Sequence, residues 1–262
     1  MKWRDVVLCS VALLLHPGGS SAEITQPILD QIKPGTITII GEVHRRKESV
    51  QMFEGLITDY LRQKKCLTVA LEIDSAEQPV IDRILQGKPA TEMKIAPMID
   101  HQPLHNMIDD LSSLKRAGAC LKIAMIDTGI ETEYDRDKWM AKQLVQQRND
   151  TPILVLLGNL HTLKKVNWNL TVADPLPFVA EILNSQGYRV RSYPQIWLEN
   201  GCTDKSSNTS HYVSADTQEA LALLNNSLIA LINALPAKTA KGVVDGFVVW
   251  EQKKCISIDN QS

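Results

Sequence analysis

Short runs of β-branched and aliphatic residues punctuate the chain, and the segments between them carry apolar residues at helical spacing. Thr36–Ile40, Leu67–Ile73, Leu121–Ile126, Ile153–Leu157, Tyr188–Tyr193 and Gly246–Trp250 read as strands. Glu48–Lys64 reads as a helix with Val50, Phe53, Ile57 and Tyr60–Leu61 on one face. A second helix, with Ser75 as its N-cap, runs through Leu85 and is stopped by Gly87 and Pro89. His105–Ala117, Tyr134–Gln147, Pro177–Ser185 and Thr217–Leu235 complete the helical set. Residues 88–104 are rich in Pro and Met and read as irregular. Glu199–Asp216 is polar, which predicts a surface excursion pinned by Cys202. Alternating β and α segments with continuously apolar strands predict an α/β fold. Its mainly parallel central sheet is covered by helices on both faces, and ligands are expected at the C-terminal edge of the strands.

The two ends modify this picture. Lys2 and Arg4 precede the apolar run Val6–Leu15, and small residues follow through Ser20, Ser21 and Ala22. That order predicts a cleaved secretory signal over residues 1–22, a single α/β domain over 23–262, and a periplasmic or secreted location. The apolar run falls well short of the roughly 20 residues a bilayer span needs, so no membrane span is expected after cleavage. Export makes disulfides admissible. Cys66 and Cys120 each immediately precede a predicted strand, and if those strands are parallel neighbours their starts lie about 5 Å apart, close to disulfide span. The reading pairs Cys66 with Cys120 and, by elimination, Cys202 with Cys255; a zinc site competes, but no C-x-x-C spacing supports it.

Hydrophobic residues make up 44% of the 262 positions and charged ones 22%, ordinary for a core-forming chain. A net charge of -2 gives no reason to expect nucleic acid or an anionic membrane as a partner. Aromatic residues, at 5%, are too sparse for a base-stacking platform. The expected partner is therefore a small molecule or a peptide.

Chemistry concentrates where the strands end. Gly41-Glu42-Val43-His44 follows the first predicted strand and Gly158-Asn159-Leu160-His161 follows the fourth, two copies of one G-x-x-H device. Glu72 and Asp74 close the second strand and Asp127 closes the third. Parallel strands put these endings on one edge, where two imidazoles would meet several carboxylates. A histidine titrating near pH 6.5 can take a proton from water, and a carboxylate can orient its ring. The same donors also suit a divalent metal holding a water, with His44, Glu72 and His161 as the ligand set. The residues alone leave that choice open. No serine sits in a G-x-S-x-G elbow and no glycine-rich phosphate loop is present. Each candidate also has an ordinary alternative. His44 and His161 could serve as turn residues, and Glu72 could form a structural ion pair with Arg45 or Arg46. Asp74 and Asp127 suit helix N-caps.

Taken in order, Gly41-Glu42-Val43-His44, Val69-Ala70-Leu71-Glu72, Asp135-Arg136-Asp137-Lys138-Trp139-Met140-Ala141 and Leu156-Leu157-Gly158-Asn159-Leu160-His161 resemble the superfamily of ChaN-type haem-uptake proteins, erythromycin esterases and Tiki/TraB proteases. Gln78-Pro79 and the Arg-Asp-x-x-Met-Ala helix bring the ChaN-like branch nearest. Similarity to the esterases implies a hydrolase in which His44 is the general base, held with its water by Glu42, Glu72 and His161. Arg136 would then stabilise an oxyanion or anchor an anionic group. Similarity to the Tiki proteases implies His44 and His161 as metal ligands. Similarity to ChaN implies haem binding, with a dimer as one way to enclose the haem. A non-catalytic domain carrying idle histidines is the third reading.

Overall fold

The computed structural model describes residues 21–88, 93–129, 135–168, 176–201, 209–230 and 232–254. The expected signal segment up to residue 20 and the Cys202–Cys255 pairing lie outside the described residues.

Helix α1 (Ser21–Leu29) leads into β1 (Thr36–Glu42), α2 (Lys47–Arg62) and β2 (Leu67–Asp74). Then come α3 (Gln78–Ile84), α4 (Gln102–Arg116), β3 (Leu121–Asp127), α5 (Arg136–Gln146), β4 (Ile153–Gly158), α6 (Val179–Ser185) and β5 (Arg189–Tyr193). The five strands form one sheet in the order β3-β2-β4-β1-β5, every pair parallel. The inner strands β1, β2 and β4 are buried on both faces, so they need no polar alternation. Ile40, Leu71, Met125, Leu154 and Leu156 pack against α1, α2, α3 and α4 on one face. Ile37, Ile39, Ala70, Val155 and Leu157 pack against α5 and α6 on the other. The chain thus leaves β1 toward one face and leaves its neighbour β4 toward the opposite face. Where adjacent strands send their connections in opposite directions, a crevice opens beyond their C-terminal ends.

Cys66 and Cys120 form a disulfide with Cα atoms 4.5 Å apart. It staples the starts of β2 and β3, which are parallel neighbours in register from Leu67 beside Leu121. The bond therefore lies at the opposite edge of the sheet from the crevice.

Four expectations need correction. First, the closing strand does not join the central sheet, and strands occupy both sides of the excursion expected over Glu199–Asp216, whose residues 202–208 lie outside the described residues. Strands β6 (Gln195–Gly201), β7 (Thr209–Ser214) and β8 (Gly246–Lys254) form a separate mixed sheet, with β8 between a parallel β6 and an antiparallel β7. Pro194 explains the break: it has no amide hydrogen for a ladder, so the chain leaves the parallel sheet there. Its carbonyl still accepts from Val248 N at 3.1 Å, and Ser192 O accepts from Asp245 N at 2.9 Å, which joins the two sheets. Ile196, Val213, Phe247 and Val249 form a third core with Leu163, Leu223 and Leu224.

Second, the helix expected over Thr217–Leu235 stops early: α7 (Gln218–Leu223) passes into a π-helical turn at Leu224–Leu228. Asn225 pairs its amide with the backbone of Ala237, and Ser227 Oγ donates to Leu223 O. Side chains that bond backbone compete with helix continuation. Third, α4 begins at Gln102 instead of His105, because Pro103 fits the first turn of a helix, where no amide donor is needed. Fourth, the N-cap after β2 is Asp74 and not Ser75; its carboxylate accepts from Ala76 N and opens a 3₁₀ turn at Ser75–Glu77.

Candidate functional site

Strand pairing brings the two G-x-x-H devices side by side. Gly41 lies beside Leu157, and Glu42 beside Gly158. Past β1, the chain turns through Val43 and His44 into Arg45, whose φ of 66° is left-handed. For a residue with a Cβ that conformation costs on the order of 1–2 kcal/mol, so the turn is held by its surroundings. Past β4, a 3₁₀ turn at Asn159–Thr162 presents His161. Close approach excludes a side chain at Gly41 and leaves little room for one at Gly158. A Cβ on Gly41 would sit 2.3 Å from Asn159 Oδ1 and 2.9 Å from Pro194 Cα. A Cβ on Gly158 would sit 3.3 and 3.4 Å from His44 Cε1 and Nε2, and 3.6 Å from His161 Cδ2. The two imidazoles therefore flank one small space above Gly158.

Each imidazole has its own carboxylate. His44 Nδ1 lies 2.9 Å from Glu42 Oε1, and His161 Nδ1 lies 2.6 Å from Asp137 Oδ1. A carboxylate only accepts, so Nδ1 carries the proton in both rings and Nε2 is the nitrogen left for chemistry. Asp137 Oδ1 also accepts from Val179 N at 2.8 Å, which fixes it against the start of α6. The hydrogen bond to Glu42 raises the His44 pKa above its ordinary 6.5. Burial opposes the shift, nearby Glu72 adds to it and Arg136 subtracts.

Glu72 forms the floor. It is 5% exposed, and both its oxygens are engaged: Oε2 accepts from Gly158 N at 2.6 Å and Oε1 accepts from Arg136 Nη2. His161 Nε2 stands 3.9 Å from Glu72 Oε1. Arg136 also donates from Nε and Nη2 to the two oxygens of Asp127, at 2.8 and 2.7 Å. Burial works against the Arg136 charge, but the bonds to Asp127 and the proximity of Glu72 outweigh it and raise its pKa further. A buried carboxylate without such partners would be strongly destabilising, and here the two acids and the guanidinium satisfy one another. The ion pair of Glu72 is thus with Arg136, not with Arg45 or Arg46. Beside Glu72 and Asp127 opens a cleft of about 400 Å³, lined also by Asp74, Glu77, Lys94, Ile95 and Pro97.

Glu42, His44, Glu72, Arg136 and His161 accordingly meet in one place. Asp137 joins them without having been singled out. Its position one residue past Arg136, in the first turn of a helix, is a common place for an acid that merely suits the helix dipole. Gln195 also belongs to the support: fully buried, it donates to Gly41 O at 2.8 Å, accepts from Trp250 Nε1 at 2.8 Å, and its backbone pairs with both ends of the Asn159 amide. His101 and His105 lie elsewhere, on Ile99 O and Asp100.

Among the described residues no three His, Cys, Asp or Glu side chains group as ligands, and both oxygens of Glu72 are already committed. The cleft is likewise a poor seat for haem, since four carboxylates (Glu72, Asp74, Glu77, Asp127) line it against Lys94, and haem brings two carboxylates of its own. Among the described residues no helix is long and apolar enough to cross a membrane.

No protein-family model and no curated protein sequence matches this chain. Solved structures match by shape. A Bacillus cereus protein is 11% identical over 92% of this chain and 93% of its own, with a TM-score of 0.62. A mutant of the erythromycin esterase EreC in its open conformation is 10% identical over 86% of this chain and 91% of its own, with a TM-score of 0.52. A ChaN of Campylobacter jejuni with cofacially bound haem is 15% identical over 65% of this chain and 84% of its own, with a TM-score of 0.47. At these identities the first two establish a shared fold and nothing further.

Proposed function

We propose that the chain is a hydrolase of exported type that activates water for attack on an ester or amide carbonyl, with His44 as general base. The observation that carries this reading is the Glu42–His44 pair facing a second imidazole across Gly158, with its Nε2 directed at that shared space. Glu42 holds the tautomer: with Nδ1–H bound to the carboxylate, Nε2 offers its lone pair to water. As water adds to the carbonyl, one of its protons passes to Nε2, and Glu42 stabilises the imidazolium that forms. Arg136 spends Nε and Nη2 on Asp127 and Glu72, and Nη1 is the part of its fork left to face the carbonyl oxygen as negative charge develops there. Glu72 keeps the guanidinium and the Gly158 amide in place.

The test is turnover of a panel of carboxylic esters and blocked peptides by the purified protein and by His44→Ala. Turnover that disappears in the variant, with thermal unfolding unchanged, supports the reading. A wild-type protein that turns over nothing but develops a Soret band on hemin titration would replace it with haem binding.

A further inference from the structure

We infer that His161, oriented by Asp137, is the proton donor to the leaving group, so that the two histidine–carboxylate pairs divide base and acid work between them. This rests on the hydrolase reading for its chemistry, but the positioning of His161 by Asp137 can be tested without it.

The geometry separates the two roles. His44 is the more open ring, with a side chain 29% exposed against 13% for His161, and it sits on the motif that turns outward into α2. Water reaches His44 more easily, which suits the base. His161 is enclosed. Phe178 stands edge-on to its ring with centroids 6.1 Å apart, and Trp168 packs on Phe178 at 5.2 Å. Its Nδ1–H is held by a carboxylate that is itself anchored by Val179 N, so the ring has one orientation, with Nε2 toward Glu72. A protonated His161 would direct Nε2–H into the shared space between two acids, Asp137 behind it and Glu72 beside it.

The protons balance over one turnover. Water gives one proton to neutral His44 Nε2 as its oxygen bonds to the carbonyl carbon. That proton passes from His44 Nε2 to His161 Nε2 across the space above Gly158. The tetrahedral intermediate then collapses: the bond to the leaving oxygen or nitrogen breaks, and that atom takes the proton from His161 Nε2, which leaves both rings neutral as at the start, with acid and alcohol or amine as products. Asp137 gains and loses no proton. It is a positioning residue whose effect runs through His161.

The experiment compares wild type, Asp137→Asn and His161→Gln on acetate esters of an alkyl alcohol and of p-nitrophenol. A nitrophenolate leaves without a proton, whereas an alkoxide does not. Loss of the donor should lower kcat on the alkyl ester by roughly 100-fold or more, within the usual range for acid catalysis, and lower it on the nitrophenyl ester by a much smaller factor. Equal losses on both esters would overturn the donor role. In parallel, nitrogen-15 imidazole spectra, assigned with His161→Gln, should show His161 protonated at Nδ1 in wild type and redistributed in Asp137→Asn. An unchanged His161 tautomer in that variant would overturn the positioning role. If wild type hydrolyses neither ester nor any blocked peptide, the donor role falls with the hydrolase reading, and the spectra alone decide whether Asp137 positions the ring.

Discussion

The two histidine ends of the site reach the same arrangement over different distances. His44 takes its carboxylate from two residues back, within one strand end, whereas His161 takes Asp137 from a helix 24 residues earlier in sequence. The local pair needs only the turn after β1. The remote pair needs α5 and α6 correctly packed on the sheet, because Asp137 stands in the first turn of one helix and bonds the first amide of the other. The first pair can therefore form wherever its short motif folds, while the second reports that the tertiary structure around it is complete. This difference makes the His161 end the one more sensitive to distant packing changes.

Breaking the local end should have the largest effect. His44→Ala removes the base, and loss of a general base typically costs 10²–10⁴-fold; kcat on any ester should fall by about 1,000-fold, regardless of leaving group. A steady-state assay on alkyl and nitrophenyl esters checks both the size and the indifference to leaving group. Next comes the space the two ends share. The backbone of Gly158 has φ -56° and ψ 146°, which alanine adopts freely, so Gly158→Ala tests the space alone. Its methyl would press on His44 and touch His161. Misplacing reacting groups by about 1 Å can cost 10²-fold, and kcat/KM should fall by about that much while denaturant stability changes by under ~1 kcal/mol. Gly41→Ala inverts this pattern. Its methyl collides with Asn159 and with the backbone at Pro194, the joint between the sheets, so stability should fall by about 1–3 kcal/mol in a urea titration.

The same contrast of short and long reach governs what could be read from the chain. The parallel sheet is legible because its inner strands are buried on both faces and announce themselves as apolar runs such as Ile153–Leu157. Once the strands are parallel, the convergence of Glu42, His44, Glu72 and His161 follows from their places at strand ends. The mixed sheet is not legible in this way. Thr209–Ser214 fully buries only Val213, and its other positions are polar or half-buried, so its composition resembles a loop. The end of α7 is hidden for a related reason: Leu and Ile continue at helical spacing, but Asn225 finds a better partner in Ala237, a contact twelve residues away. Asp137 escaped notice because its partner lies across the fold. Its motif neighbour Arg136 could be singled out, yet nothing local says that the next acid turns toward an imidazole instead of water. The disulfide was legible because parallel pairing of β2 and β3 is all that it requires.

The smallest predicted effect sharpens the comparison most, because it moves one ring and leaves the other alone. The hydrogen bond to Glu42 is the main cause of the raised His44 pKa. Glu42→Gln keeps a hydrogen-bond acceptor for Nδ1–H but removes the charge, so burial, which lowers the pKa, gains weight. A general base works only when neutral, so activity rises with pH through the pKa of His44. In wild type the acid limb of the kcat/KM profile should therefore lie above the ordinary imidazole value of 6.5, and in Glu42→Gln it should move to lower pH. The variant would be relatively better at acidic pH, even if its plateau is lower because the imidazolium is less well stabilised. Stability follows the same sign. A histidine whose pKa is raised on folding stabilises the fold fully below the unfolded value near 6.5, and that contribution is lost as pH rises through the folded value. The stability difference between wild type and Glu42→Gln should accordingly be larger at pH 5.5 than at pH 8.5, as measured by urea denaturation at the two pH values. An acid limb that stays in place in Glu42→Gln, but moves in Asp137→Asn, would mean that His161 and not His44 is the base, and the two ends of the site would exchange roles.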